Sequence, residues 1–125
     1  MTETPIDRGV FEALVEMTGG EMEFVDELVD TYLDDGRQQI DALREALATG
    51  DAAALVRPAH SLKSNSLNVG ALGLGGLCRE LEESARSGAV PDAADRVDAI
   101  EQGFSGVRTA LLAERADRSE PAPGG

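Results

Sequence analysis

Residues 59–71 read Ala-His-Ser-Leu-Lys-Ser-Asn-Ser-Leu-Asn-Val-Gly-Ala. It contains the only histidine of the chain, His60, and the only lysine, Lys63. At the helical step of about 100° per residue, His60 and Lys63 lie about 60° apart and one turn from each other. The opposite side of the helix is predicted to be buried. The residues on that side are Leu55, Ala59, Leu62, Ser66 and Val69.

Two further helices are predicted before this stretch. Asp7 can cap a short helix that ends at Gly19-Gly20. Its apolar positions are Val10, Leu14 and Met17. A long helix is expected from about Glu21 to Thr49, because apolar residues recur at intervals of three and four. Gly36 lies in the middle of this helix and weakens it by about 1 kcal/mol relative to Ala.

The third helix follows a short turn at Gly50-Asp51 and is therefore expected to fold back antiparallel. Pro58 is predicted to remove one backbone hydrogen bond and to bend this helix one turn before His60. A fourth helix should follow Gly70 and end at Gly88, and the glycines from Gly70 to Gly76 are interpreted as a turn and a loose helix start. Its inward face is predicted to contain Leu74, Leu77, Cys78, Leu81 and Ala85.

A fifth helix is predicted from Pro91 to Arg115, because proline is favoured at the first helical position. Its apolar stripe is Val97, Ile100, Phe104, Val107 and Leu111. No segment alternates as a strand would, so we predict an all-α, antiparallel four-helix bundle with an additional short N-terminal helix over residues 7–115. Residues 1–6 are expected to be flexible, and residues 116–125 are expected to form a disordered tail or linker.

Composition narrows the classes of function. The 125 residues carry a formal net charge of -13, which disfavours binding to nucleic acid or to an anionic membrane. One histidine and one cysteine cannot supply a zinc or haem site, and the acidic residues are spread along helices rather than gathered in a calcium loop, so no metal site is expected. Cys78 shares the predicted inward stripe and is interpreted as a core residue. Without a signal peptide or membrane span, the protein is expected to be cytoplasmic.

The residues around His60 favour a reaction in which its ring acts as a nucleophile. A nearby ammonium on Lys63 should disfavour imidazolium and keep the ring nucleophilic. It would also attract a phosphoryl group about 4 Å away by roughly 1 to 4 kcal/mol per unit charge. Ser64 lies about 40° to the other side of His60. Val56 and Leu67 bracket the ring along the helix and could form an apolar docking contact, with Arg57 and Lys63 as a local basic spot.

The sequence resembles the histidine-containing phosphotransfer (HPt) domain. The likeness rests on Ala59–Ser64, Gly70-Ala71 and the leucines that follow, together with Cys78 and Glu82. It extends upstream through Leu28–Asp35 and Leu43–Leu47 to Gly50-Asp51, and covers roughly Asp7 to Leu112.

This resemblance implies that His60 accepts a phosphoryl group from a receiver-domain aspartate or a kinase and passes it to another receiver. It implies that Lys63 neutralises the phosphoryl oxygens, and that Gly70 and the small residues around Ser64 permit close approach. HPt domains usually have glycine where this chain has Ser64. The expected partners are response-regulator receivers and a hybrid sensor histidine kinase. The domain would be a monomeric carrier rather than an enzyme, with no cofactor of its own, and Mg²⁺ would be bound by the receiver.

Two alternatives stay open at this point. The dimerisation and phosphoacceptor domain of a sensor kinase is also helical with an exposed histidine, but it requires a downstream ATP-binding domain that this sequence lacks. A helical adaptor could instead dock a receiver or kinase through the surface around Val56, His60 and Leu67 without phosphoryl transfer. The residues that would orient the second ring nitrogen of His60 are not assigned by the sequence.

Overall fold

The computed structural model describes residues 5–119, with the side chains of 118 and 119 excluded. The described residues form five α-helices and a short 3₁₀ turn at Ala53–Leu55, with no strand among them. The helices are α1 (Arg8–Met17), α2 (Met22–Thr49), α3 (Val56–Asn68), α4 (Leu72–Arg86) and α5 (Ala93–Ser119). This composition confirms the predicted all-α class.

Four of these helices form a closed ring around one core. Helix α3 packs against α2 and α4, and α5 packs against the same two helices from the other side. Helix α1 lies outside this ring and contacts α3. The predicted stripe of the fifth helix is entirely buried in the core. The structure is therefore the predicted four-helix bundle with a short additional N-terminal helix.

The segment before α1 is attached to the α3–α4 turn. The backbone N–H of Asp7 donates to the carbonyl of Gly70 at 2.7 Å, and Ile6 is only 4% exposed. Gly70 has a φ of +90°, and a Cβ there would lie 2.7 Å from the Asp7 carbonyl oxygen. The expectation of a flexible segment over residues 1–6 is thus wrong for Ile6, while residues 1–4 lie outside the described residues.

Two other expectations about helix ends are corrected. Pro58 lies in the first turn of α3, where backbone N–H groups have no α-helical acceptor, so the expected loss of a hydrogen bond does not occur. Helix α5 continues to Ser119, four residues beyond the predicted end at Arg115. The rest of the predicted tail, residues 120–125, lies outside the described residues.

The turn falls at Gly70, and the glycines of residues 73–76 lie in the first turns of α4, where the sequence predicted the start of the helix. A Cβ at Gly75 would lie 2.5 Å from Leu67 Cδ2 and 2.9 Å from Leu67 Cγ. Gly75 therefore lets α4 approach α3 closely at Leu67. This contact belongs to the helix pair with the most extensive contact among the described residues, which is also the pair that contains His60 and Glu82.

Gly36 has a packing role rather than a loosening one. It is buried within a continuous α2, and a Cβ there would lie 2.7 Å from Phe104 Cζ and closer still to Cε1. The Phe104 ring also contacts Tyr32, with centroids 5.8 Å apart. Glycine at position 36 thus makes room for the ring that joins α5 to α2.

Residues 5–119 contain no helix with the length and apolar character that crossing a membrane requires.

We expect Gly36→Ala to lower the free energy of unfolding by about 1–3 kcal/mol, because the added methyl group must displace the Phe104 ring. Gly76→Ala is the matched control, since a Cβ there has no neighbour within 4 Å and alanine favours the helix by up to about 1 kcal/mol. Urea unfolding followed by circular dichroism measures both. Equal stability of the two variants would contradict the packing role of Gly36.

Candidate functional site

The side chain of His60 projects from the exposed face of α3. It is 54% exposed, whereas Ala59, Leu62 and Ser66 of the same helix are completely buried. This arrangement follows from the helical repeat, because the buried residues lie on the side of α3 that faces the core. The orientation predicted for His60 is confirmed.

A nearly buried carboxylate lies directly behind the imidazole. Glu82 of α4 is 7% exposed, and its Oε2 lies 3.0 Å from His60 Nδ1. Lys63 Nζ donates to Oε1 at 2.8 Å. Arg86, one turn further along α4, donates to Oε2 through Nη2 at 2.8 Å and Nε at 3.2 Å. We call Glu82, His60, Lys63 and Arg86 the carboxylate cluster.

The charge of Glu82 determines the tautomer of His60. The hydrogen bond from Lys63 lowers the pKa of Glu82 to about 2; burial opposes this, while Arg86 and His60 lower the pKa further. The carboxylate is therefore ionised at neutral pH and can only accept hydrogen bonds. Nδ1 must then carry the proton of the bond to Glu82, which leaves Nε2 of the neutral ring with a free lone pair.

Lys63 has a partner that the sequence did not indicate. The sequence places its ammonium beside His60, and the structure pairs this ammonium with Glu82 and leaves the side chain only 21% exposed. The imidazole and the ammonium therefore share one carboxylate.

The structure does not bring all the other candidate residues to the ring. Ser64 is half-buried on α3, one turn after His60, and Arg57 is exposed one turn before it. Val56 is half-buried against the core. Gly70 lies at the far end of α3, about 15 Å along the helix axis at 1.5 Å per residue, where it contacts the N-terminal segment instead.

Leu67 lies beside a groove at the C-terminal end of α3. It is 41% exposed and lines a cavity of about 750 Å³ between α1, α2 and α3. Met17, which is 83% exposed, lines the same groove. At its polar wall, Asn65 Nδ2 donates to Asp35 Oδ2 at 2.7 Å. The groove thus combines exposed apolar side chains with a fixed polar edge on the helix that carries His60.

Sequence reasoning missed the roles of Glu82 and Arg86. The available signal was an acidic residue at a buried helical position, since Glu82 falls between Cys78 and Ala85 on the inward face of α4. Arg86 could be found only through its spacing of four from Glu82. Neither pattern indicates that the carboxylate meets His60, which is 22 residues away.

Metal-ligand types do not gather in the described part of the chain, where no group of three or more His, Cys, Asp or Glu side chains is placed to hold a metal ion. Cys78 is completely buried, and its burial raises the pKa of the thiol to about 12. It is therefore a core residue, as predicted, and not a thiolate nucleophile.

A family model for the Hpt domain matches residues 27–110. The chain belongs to the Hpt domain family. Its structure is also similar to the crystal structure of histidine-containing phosphotransfer protein B (HptB) from Pseudomonas aeruginosa PAO1. The TM-score is 0.85 at 37% identity, and the match covers 93% of this chain and 98% of the HptB chain. Among curated proteins, none matches the chain significantly in sequence.

Membership gives this Hpt domain a general role as a phosphotransfer carrier. Proteins of the family work with receiver domains and kinases of two-component systems, as phosphocarriers rather than as catalytic enzymes. In the carboxylate cluster, the exposed imidazole of His60 lies beside the charged side chains of Glu82, Lys63 and Arg86.

The depressed pKa of Glu82 predicts a pH dependence of stability. Its stabilising effect is complete above the ordinary value of 4.5 and is lost as the pH falls towards about 2. Over this range the wild type should lose on the order of 1–3 kcal/mol more unfolding free energy than Glu82→Gln, whose side chain cannot ionise. Urea unfolding at a series of pH values measures the difference.

Glu83→Gln is the matched control, because Glu83 lies beside Glu82 on α4 but is 66% exposed. Its acid dependence should follow that of the wild type. If Glu82→Gln also loses stability as steeply as the wild type, the carboxylate cluster is not an ionised network in the folded protein.

Proposed function

We propose that His60 is the phosphoacceptor of this Hpt domain, and that Nε2 is the atom phosphorylated. The observation that carries the proposal is the hydrogen bond between Nδ1 and Glu82 on a histidine whose side chain is 54% exposed. This bond occupies the inner nitrogen and leaves the outer one available to a partner.

The transfer is a displacement at phosphorus. The lone pair of His60 Nε2 forms the N–P bond while the bond between phosphorus and the carboxylate oxygen of a receiver aspartyl phosphate breaks, and the aspartate leaves with the electron pair. The proton stays on Nδ1, so the phosphorylated ring is formally cationic. Glu82 stabilises that cation through the same hydrogen bond, because its carboxylate remains ionised. Reversal of the step returns the phosphoryl group to a receiver.

Lys63 would interact with the phosphoryl oxygens once they reach Nε2. Its ammonium has three donors, of which one is directed at Glu82 Oε1, so it can turn part of its charge towards the phosphoryl group. An interaction of roughly 1 to 4 kcal/mol per unit charge suits a carrier, because it favours the phosphorylated state without preventing release.

Receiver domains, and a hybrid sensor histidine kinase upstream, are the proposed partners. In this arrangement the receiver supplies Mg²⁺ and the acidic residues that bind it, while this domain supplies the nucleophile and its supporting carboxylate. The groove between α1, α2 and α3 is the proposed receiver contact. Leu67 lies on the same helix as His60, so a receiver seated there would also reach the imidazole.

We expect a phosphorylated receiver to transfer a label that is acid-labile and base-stable, as for phosphohistidine. His60→Gln should abolish the label, because it removes Nε2, and Lys63→Ala should slow labelling several-fold, because it removes the compensating charge. Pairwise transfer against receivers from the source genome, followed on gels, measures both. Labelling of His60→Gln at the wild-type rate would overturn the assignment, and binding without transfer would favour the adaptor alternative.

If the groove is the receiver contact, a substitution there should slow transfer from a receiver without slowing labelling by a small phosphoryl donor. Leu67→Asp should slow transfer from a receiver at least tenfold, because it places a charge in an apolar contact, but should leave labelling by the small donor phosphoramidate within twofold of wild type. Leu72→Asp is the control, since Leu72 is 46% exposed and does not line the groove. Equal transfer rates for the two variants would exclude the groove as the receiver contact.

A further inference from the structure

Arg86 has no place in the transfer step described above, yet it makes two hydrogen bonds to the carboxylate that supports His60. Both reach Oε2, the oxygen that also accepts from His60 Nδ1, while Lys63 donates to Oε1. The guanidinium is 60% exposed, so burial does not explain its position. The two cationic side chains of the cluster therefore bind different oxygens of Glu82: Lys63 binds Oε1 and Arg86 binds Oε2.

The count of charges shows what Arg86 adds. With a neutral imidazole, Glu82 and Lys63 alone sum to zero, and Arg86 gives the cluster a net charge of +1. If Lys63 turned towards an arriving phosphoryl group in the absence of Arg86, the 7% exposed carboxylate would lose its only cationic side-chain partner. A nearly buried carboxylate without a compensating charge is strongly unfavourable.

We propose that Arg86 is a positioning residue for phosphoryl transfer, which keeps Glu82 compensated so that Lys63 can move from the carboxylate to the phosphoryl group. This inference rests on the proposed function of His60 and adds a role for Arg86, whose hydrogen bonds in the cluster go to Glu82. Arg86 acts through Glu82, and Glu82 acts on both His60 and Lys63.

A second ion pair on α4 provides an internal comparison. Arg79 and Glu83 have the same spacing of four as Glu82 and Arg86, but their side chains are 70% and 66% exposed and joined at 3.3 Å. Arg79→Gln therefore removes a helical ion pair of the same kind without affecting the carboxylate cluster. It is the matched control for Arg86→Gln.

The experiment uses phosphoramidate, which needs no receiver. Its P–N bond breaks as the bond from His60 Nε2 to phosphorus forms, and ammonia leaves with the electron pair. We expect Arg86→Gln to slow labelling of His60 about five- to twentyfold, Arg79→Gln to stay within twofold of wild type, and Arg86→Lys to recover most of the loss. Circular dichroism and urea unfolding establish that each variant is folded.

Two further measurements separate positioning from a structural role. In a Glu82→Gln background, Arg86→Gln should slow labelling less than twofold, because no carboxylate remains to be compensated. Since Lys63 is the only lysine, its Cε and Nζ nuclear magnetic resonance signals require no assignment among other lysines. Phosphorylation should shift these signals in the wild type and shift them less than half as much in Arg86→Gln.

The outcomes distinguish this inference from the proposed function. Labelling of the wild type that does not require His60 overturns the phosphoacceptor assignment and the inference with it. If labelling does require His60 but Arg86→Gln behaves as Arg79→Gln, only the role of Arg86 is overturned. An undiminished effect of Arg86→Gln in the Glu82→Gln background also overturns it, because Arg86 would then act independently of the carboxylate.

Discussion

The site depends on one compensated carboxylate between two helices. Glu82 is nearly buried, and three basic side chains surround it: His60 and Lys63 from α3, and Arg86 from α4. A carboxylate at this depth is stable only when its charge and its lone pairs are satisfied. The same bonds that satisfy Glu82 fix the tautomer of His60 and the position of Lys63. The stability of the α3–α4 contact and the chemistry of the exposed ring are therefore two consequences of one interaction.

The fold and the exposed histidine were predictable from local patterns. Apolar residues repeat at intervals of three and four along each helix. These residues form the core because the apolar face of each helix is buried away from water. His60 could be placed on the opposite face of α3 by the same repeat. The burial of the whole stripe from Val97 to Leu111 shows how well this rule works where the pattern is uninterrupted.

The rest of the site could not be predicted from local patterns, because it depends on contacts between residues that are far apart in the sequence. Helical periodicity indicates that Glu82 faces inward, but it does not indicate that α4 meets α3 where His60 and Lys63 lie. The sequence argument therefore considered Lys63 only in relation to His60, although Glu82 accepts its hydrogen bond. The packing roles of Gly36 and Gly75 were missed for the same reason: propensity measures the cost of glycine in a helix, while the space required by Phe104 or Leu67 depends on the neighbouring helix.

A carrier must stabilise its phosphorylated state and still release the group, and the carboxylate cluster meets both requirements if His60 is the acceptor. Glu82 accepts a hydrogen bond from Nδ1 before and after transfer, so the ring need not turn or lose a proton. The bond strengthens as the ring becomes cationic, which favours phosphorylation. Lys63 is held by Glu82 in the unphosphorylated state, and returning to that partner offsets part of its lost attraction to the phosphoryl group when the group leaves. Compensation within the cluster thus limits the free-energy difference between the two states, which is the condition for reversible transfer.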